Sequence, residues 1–348
     1  MKAAIVTLTK QYNYGNSLQN YAVQTVLQRL GIEAETILYD FRPIKKRITQ
    51  TIKGIINWNA PEIKRKRAFD CFEKQHINIS PIKNLVKKSK FAERRYDYFL
   101  VGSDQVWNPS WYRKHMDNVY LLDFTTDDKK ISYAPSFGIE KLPDIWESRF
   151  ANGLKQFKAI SVREEAGVNI VRTLTGITPI VVIDPTMMIS AGDWSRISKR
   201  PDLQLEEKYI LTYFLGDTPS NVQELCFRKQ NDYQTVELKR VDDDKTIDPS
   251  EFLWLVEHAQ LVLTDSFHAC VFSFLFNKPF QVYDRQDAEL CMNSRLDSFL
   301  RLFGLERKYV GSGLDNDIWE NDYKKGYAIL EQEIEKAKKY LIDSLGIS

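Results

Sequence analysis

The sequence has too little of several things to belong to several large classes. It holds four Cys in 348 residues, at positions 71, 226, 270 and 291, and no two form a CxxC pair. Neither a zinc site nor a disulfide framework is suggested. Cys226 and Cys270 fall in apolar helical patterns and read as buried thiols. No apolar run approaches about 18 residues, so no membrane-spanning helix is expected. Met1-Lys2 leads straight into an apolar strand, without the charged, apolar and cleavage regions of a signal peptide. The expectation is a cytoplasmic protein. Net charge is only +2, which argues against nucleic-acid binding by overall charge. The dinucleotide fingerprint GxGxxG is absent.

What remains is a composition of 43% hydrophobic and 28% charged residues, enough to build large cores. The length suits two domains. Ala3–Leu8 is short and apolar and reads as a strand buried on both faces. The loop Thr9–Asn16 follows, with Gly15 free to take positive φ and Asn16 or Ser17 placed to cap a helix. Leu18, Tyr21/Ala22, Thr25/Val26 and Leu30 recur at helical spacing, and Gly31 ends that helix. Glu35–Tyr39 is the next strand. Such strand–loop–helix–strand units build doubly wound sheets. The loop offers backbone N–H groups at a helix N-terminus to an anion. Tyr12, Asn13, Tyr14, Asn16 and Gln19 add polar and aromatic contacts.

Further strands are predicted at Tyr98–Val101, Ile131–Ala134, Ala159–Val162 and Ile180–Ile183. Each runs into a polar loop, and in a parallel sheet such loops share one rim. The loops carry Gly102-Ser103-Asp104-Gln105, Pro135-Ser136-Phe137-Gly138, Arg163-Glu164-Glu165 and Asp184-Pro185-Thr186. Arg163, the first residue past its strand, is placed to grip a carboxylate or phosphate with its planar fork. A structural pairing with a neighbouring Glu is the plainer alternative. Residues 42–95 hold sixteen Lys and Arg against four acids, a local excess of +12. That segment reads as a solvated helical excursion, or as a surface for a polyanion or an anionic membrane face.

From residue 184 to 205, Pro, Gly and charge mark a boundary. The expected domains are 1–190 and 191–320, with a terminal helix over 321–348. The second domain repeats the pattern: strands at Tyr209–Leu215, Thr235–Lys239, Leu261–Leu263 and Phe280–Tyr283, helices at Ser220–Gln230, Pro249–His258, Phe267–Phe276 and Ser294–Phe303. Asp242-Asp243-Asp244 lacks a His or Cys partner and reads as a solvated turn. His268 sits in the first turn of an apolar helix behind Asp265-Ser266. A core histidine and a site histidine are both open at that junction. Tyr327, Leu330, Ile334, Ala337, Leu341 and Leu345 trace an amphipathic terminal helix. The expected fold is α/β, two Rossmann-like domains facing a central cleft, a common place for a substrate.

Five ordered motifs carry a family resemblance. They are Asn13-Tyr14-Gly15-Asn16-Ser17-Leu18-Gln19 with Tyr21-Ala22; Gly102-Ser103-Asp104-Gln105-Val106-Trp107-Asn108; Ser161-Val162-Arg163-Glu164; Val182-Ile183-Asp184-Pro185-Thr186; and Thr264-Asp265-Ser266-Phe267-His268 with Phe272-Ser273 and Lys278-Pro279-Phe280. Together they resemble the polysaccharide pyruvyl transferase family, over residues 1 to about 283. The resemblance implies a glycosyltransferase-B-like fold with a terminal helix crossing back. It also implies transfer of the pyruvyl group of phosphoenolpyruvate onto a sugar or lipid-linked oligosaccharide as a ketal, without metal or organic cofactor. On that reading His268 is the acid, and Asp104 or Asp265 takes the hydroxyl proton. Arg163, Gly15, Asn16, Gln19, Ser103, Ser136 and Ser266 bind substrate. One position departs: Ser266 stands two residues before His268, where some characterised members carry a basic residue. That departure keeps a nucleotide-sugar glycosyltransferase open. The basic segment 42–95 keeps a non-catalytic glycan- or membrane-binding module open.

Overall fold

The short apolar runs become strands of two to five residues, most of them buried along their length, as parallel sheets covered on both faces require. A computed structural model describes residues 1–39, 57–82, 89–112, 116–239, 246–285 and 294–347. In chain order the first half contains β1 (Lys2–Val6), α1 (Tyr14–Arg29), β2 (Glu33–Thr36), α2 (Pro61–His76), α3 (Ser89–Arg95), β3 (Tyr98–Val101), α4 (Met116–Tyr120), β4 (Lys130–Ser132), α5 (Asp144–Leu154), β5 (Ser161–Val162), α6 (Glu165–Thr175) and β6 (Ile180–Val181). The second half contains α7 (Ala191–Ile197), β7 (Tyr209–Tyr213), α8 (Ser220–Lys229), β8 (Gln234–Leu238), α9 (Pro249–His258), β9 (Leu261–Thr264), α10 (Phe267–Leu275), β10 (Phe280–Val282), α11 (Ser294–Phe303) and α12 (Lys324–Leu345).

The first sheet has the order β2-β1-β3-β4, all parallel. It continues past β4 through serines. Ser132 N donates to Ala159 O at 3.1 Å, Ser161 N to Ser132 Oγ at 3.0 Å, and Ala134 N to Ser161 Oγ at 3.1 Å. That stitching attaches the parallel pair β5-β6. The second sheet has the order β10-β9-β7-β8, again all parallel. These are two Rossmann-like halves in the glycosyltransferase-B arrangement. Some strand ends shift from the predicted ones: β1 stops at Val6, not Leu8, and β2 spans Glu33–Thr36, not Glu35–Tyr39. Past Thr36 the edge passes to another segment, Thr36 N donating to Asn78 O at 2.8 Å.

The halves share one continuous core. Tyr14 of α1 stacks on Phe252 of α9, centroids 4.4 Å apart and planes 7° apart. Its hydroxyl donates to Ile247 O at 3.3 Å. Trp194 of α7 meets Phe272 of α10 edge-on at 5.0 Å. The terminal helix α12 crosses from one half to the other. Tyr327 near its start donates to Phe274 O at 2.8 Å, and Tyr340 near its end donates to Ser132 O at 2.7 Å. No helix among the described residues is long and apolar enough to cross a membrane.

Part of the basic excursion folds onto the first half. The Arg65 guanidinium of α2 lies 4.9 Å from the Tyr14 ring centroid and 4.7 Å from that of Phe69, and donates to Tyr12 O at 2.9 Å. Lys10 pairs with Asp70 at 2.7 Å and also with Glu73. Residues 42–56 and 83–88 of that segment lie outside the described residues, as do Asp242-Asp243-Asp244 and Cys291. Cys270 is buried as expected, whereas Cys226 is only half-buried on α8.

Candidate active site

The loop after β1 delivers its residues differently from the sequence expectation. The helix cap is Asn13, not Asn16 or Ser17: its side chain accepts from Gly15 N at 2.9 Å. The helix therefore starts at Tyr14, and Gly15 and Asn16 lie in its first turn. Gly15 is helical and needs no positive φ. It is small because His268 lies against it: a Cβ on Gly15 would sit 2.0 Å from His268 Nδ1. Asn16, one residue on, donates from its amide to Asp104 Oδ2.

Asp104 is the centre of a buried ionic cluster at the carboxyl ends of the first sheet's strands. Its backbone is left-handed, φ +64°, and its carbonyl accepts from Ser136 N at 2.8 Å. Arg163 bridges two carboxylates. It donates from Nη1 to Asp184 Oδ2 at 2.6 Å and from Nη2 to Asp104 Oδ1 at 3.2 Å. Asp184 also accepts from Ser103 Oγ at 3.1 Å, Thr186 N at 3.0 Å and Thr186 Oγ1 at 2.7 Å. Arg295 reaches across from α11 and donates from Nη1 to Asp104 Oδ1 at 3.3 Å. His268 Nε2 stands 3.8 Å from Asp184 Oδ2 and has no hydrogen-bond partner among the described residues. The Phe267 ring carries the Arg163 guanidinium at 4.7 Å and that of Arg295 at 5.9 Å.

Electrostatics set the resting protonation states. Burial pushes the His268 pKa down; Asp184 and Asp104 pull it up, and Arg163 and Arg295 push it down further, so the net direction is down. The imidazole rests neutral. Burial alone would raise the Asp104 and Asp184 pKa values. Several neighbours together outweigh it: His268, Arg163 and the Thr186 hydrogen bonds at Asp184, and Arg163, His268 and Arg295 at Asp104, so both stay below the ordinary carboxylate value. Burial pulls Arg295 down to about 10, and the neighbouring charge of Arg163 adds to the shift.

A cavity of about 650 Å³ opens beside this cluster, between the halves. Arg163, Asp184, Phe267, Ser294 and Arg295 line it, and Glu333 of α12 closes one side. Its size suits a small substrate. Among the described residues no group of three or more His, Cys, Asp or Glu side chains could hold a metal ion.

The structure brings together His268, Asp104, Arg163, Gly15, Asn16 and Ser103. Gln19 and Ser136 stand one step behind. Gln19 is fully buried, donating to Thr7 Oγ1 at 2.9 Å and accepting from Ser103 N at 3.1 Å. Ser136 Oγ donates to Glu164 Oε1 at 2.8 Å, which also takes the N–H of Phe137 at 3.0 Å. Two predicted site residues are not brought in by their side chains. Asp265 is not part of the cluster: its carboxylate accepts from Leu215 N at 2.7 Å and Gly216 N at 3.1 Å. It ties the turn after β7 to β9. Ser266 begins α10 without a side-chain capping bond. Arg163 is not free to grip a substrate with both ends of its fork, because Asp184 and Asp104 hold them. Sequence reasoning missed Asp184 and Arg295 as site residues. Asp184 was visible as the first polar residue after an apolar run. Arg295 was visible as a cation in the first turn of a helix, where the dipole disfavours it.

The family model described as "Polysaccharide pyruvyl transferase" matches residues 13–287. No curated protein matches the chain. Among solved structures, UDP-GlcNAc 2-epimerase from Methanocaldococcus jannaschii is similar with a TM-score of 0.52 and 13% identity, over 95% of this chain and 92% of that one. The same epimerase with UDP-GlcNAc and UDP gives 0.51 and 14% over 95% and 99%. A putative UDP-N-acetylglucosamine 2-epimerase from Listeria monocytogenes gives 0.50 and 11% over 94% and 93%. At these identities the likeness is one of fold.

Proposed function

The chain belongs to the polysaccharide pyruvyl transferase family, and from that premise we propose that it moves the pyruvyl group of phosphoenolpyruvate onto a sugar as a ketal in cell-surface polysaccharide synthesis. The observation that carries the reading is His268. It is neutral, its Nε2 has no hydrogen-bond partner among the described residues, and it stands at the carboxyl end of one sheet facing the Asp104–Arg163–Asp184 cluster of the other.

The chemistry needs an acid that appears only when the donor is present. Phosphoenolpyruvate brings a carboxylate and a phosphate. Opposite charge within about 4–6 Å raises an imidazole pKa, so donor binding charges His268. The imidazolium then protonates the methylene carbon, leaving an oxocarbenium-like centre at the carbon that bears the phosphate. A sugar hydroxyl adds there and loses its proton. Phosphate leaves with its bonding electrons, a second hydroxyl adds, and its proton is lost in turn. The products are the cyclic ketal and inorganic phosphate. A hydroxyl bound to such a centre is strongly acidic, so a carboxylate of low pKa suffices as acceptor. Asp104, steadied by Asn16, has that role. The donor is a metabolite of the cytoplasm, so this reading puts the protein there. A lipid-linked acceptor would bring it to the inner membrane surface.

A nucleotide-sugar glycosyltransferase is the second reading, favoured by one observation: the fork of Arg163 is held by two aspartates. Against it, the N–H groups of Leu215 and Gly216 after β7 already serve Asp265 and are not offered to a diphosphate. The test is calorimetric titration of phosphoenolpyruvate and of UDP, followed by turnover with a panel of glycoside acceptors. The expected result is phosphoenolpyruvate binding, release of inorganic phosphate, and an acceptor mass gain of one pyruvic acid less one water. UDP binding alone, or release of a nucleoside diphosphate, overturns it.

A further inference from the structure

Arg295 sits where three effects oppose it. It lies in the first turn of α11, at the positive end of a helix dipole. Its side chain is 12% exposed, so it is largely desolvated. It also feels the like charge of Arg163. Among the described residues its ion pair is a single 3.3 Å contact to Asp104 Oδ1, an oxygen that Arg163 also contacts at 3.2 Å. Surface exposure would relieve all three costs, and the residue does not take it.

The unpaired donors point to the reason. Arg295 Nε, Arg163 Nε and Ser294 Oγ are all buried without a hydrogen-bond partner among the described residues; the Glu164 carboxylate stands 3.9 Å from Arg163 Nε, beyond hydrogen-bond distance. Buried unpaired donors are uncommon and costly. All three residues line the same 650 Å³ cavity, and the Arg163 side chain is only 3% exposed. Asp184 and Asp104 hold terminal nitrogens of the two guanidiniums and leave the Nε edges without a hydrogen bond among the described residues. The start of α11 adds a positive dipole end to the same wall. Phe267 holds both guanidiniums against one ring.

We infer that Arg295 and Arg163 form a two-guanidinium anion site in the cleft, with Ser294 as a third donor, and that its occupant is the phosphate or carboxylate of the donor substrate. The identity of the occupant rests on the pyruvyl-transfer reading; the site itself does not. Ser266 leaves the start of α10 without a cation, and Arg295 supplies one from the next helix instead. The site takes a small phosphoester, free phosphate or a nucleoside diphosphate by the same chemistry, so the experiment must separate them.

The experiment titrates phosphoenolpyruvate, inorganic phosphate and UDP separately into wild type, Arg295→Met and Arg295→Lys, with a thermal melt of each. Met keeps the apolar stem and removes the charge. Losing a charged hydrogen-bonding partner weakens binding by about 10- to 100-fold, and Arg295→Met should show that loss with a nearly unchanged melt. Arg295→Lys should fall between, because an ammonium restores charge but not the fork. If Arg295→Met does not fold, Arg295→Lys decides: a loss of about threefold or more supports the site. Phosphoenolpyruvate affinity within about twofold of wild type in the folded variants overturns it. Arg295-dependent binding of phosphate or UDP, with no phosphoenolpyruvate binding, keeps the site and removes the pyruvyl donor. Wild type binding none of the three overturns the site.

Discussion

Replacing Gly15 by Ala is the sharpest test of how the first sheet positions the histidine of the second. In an ordinary helix the change would help by up to about 1 kcal/mol, since Gly is the costlier helix residue. Here the new methyl would sit 2.0 Å from His268 Nδ1, 2.5 Å from Cε1 and 2.6 Å from Cγ. Ordinary carbon contacts lie near about 3.5 Å, so the ring must retreat by roughly an ångström or more. The neighbours resist it, because every residue of α10 is buried. Overpacking of this kind costs about 1–3 kcal/mol. Set against the helical gain, the net change is between about 0 and 2 kcal/mol of destabilisation, which the fold survives. Function is more sensitive. A catalytic group displaced by about 1 Å can lose roughly 100-fold in rate. The expected outcome is a melt lowered by a few degrees and phosphate release from phosphoenolpyruvate reduced by about 100-fold. Gly192→Ala is the control: nothing lies within 4 Å of its Cβ, and it should be active and no less stable. Turnover of Gly15→Ala within about threefold of wild type would refute the reasoning, because the ring would then tolerate displacement.

Four further outcomes are expected. Donor binding at neutral pH should take up close to one proton, seen as a dependence of calorimetric heat on buffer ionisation enthalpy, and His268→Gln should abolish the uptake; undiminished uptake in that variant would assign the proton elsewhere. The same histidine contributes to pH stability: its folded pKa lies below the ordinary value of about 6.5, so the unfolded chain binds the proton first, and stability is full above about 6.5 and is lost as the pH falls below it. Asp184→Asn leaves the buried Arg163 short of a charge partner, so it should lose about 3–5 kcal/mol and show a melt lower by several degrees. Asp265→Asn should cost about 1–3 kcal/mol of stability through the Leu215 and Gly216 N–H groups while leaving phosphoenolpyruvate affinity within about twofold; a selective loss of affinity would return Asp265 to the site.

The order of strands and helices was legible because burial on both faces writes itself as short apolar runs. Pro249–His258 and Ser294–Phe303 match their predicted spans end for end, since Asp248 caps the first and Gly304 follows the second. The cap of α1 was misread because Asn13, Asn16 and Ser17 are all competent caps, and only the backbone at Asn13 (φ −113°, ψ 135°) chooses between them. Asp104 and Asp265 looked alike, each a small acid in a polar loop after a strand. Their fates differ because Arg163 and Arg295 surround one, while two N–H groups of a neighbouring turn and Arg285, at 3.4 Å, hold the other.

The local chemistry of this protein was therefore determined by its sequence alone: parallel strands from apolar runs, polar loops at one rim, a histidine at a strand–helix junction, and a family written in five motifs. Such signals depend on neighbours a few residues apart. The tertiary structure decided everything that depends on distant residues meeting. It set Gly15 against His268 across 253 positions, shared Asp104 between Arg163 and Arg295, and tied Asp265 into a turn. Charge pairing acts over a few ångströms of space, and spacing along the chain carries no record of which distant groups the two sheets will bring within that range.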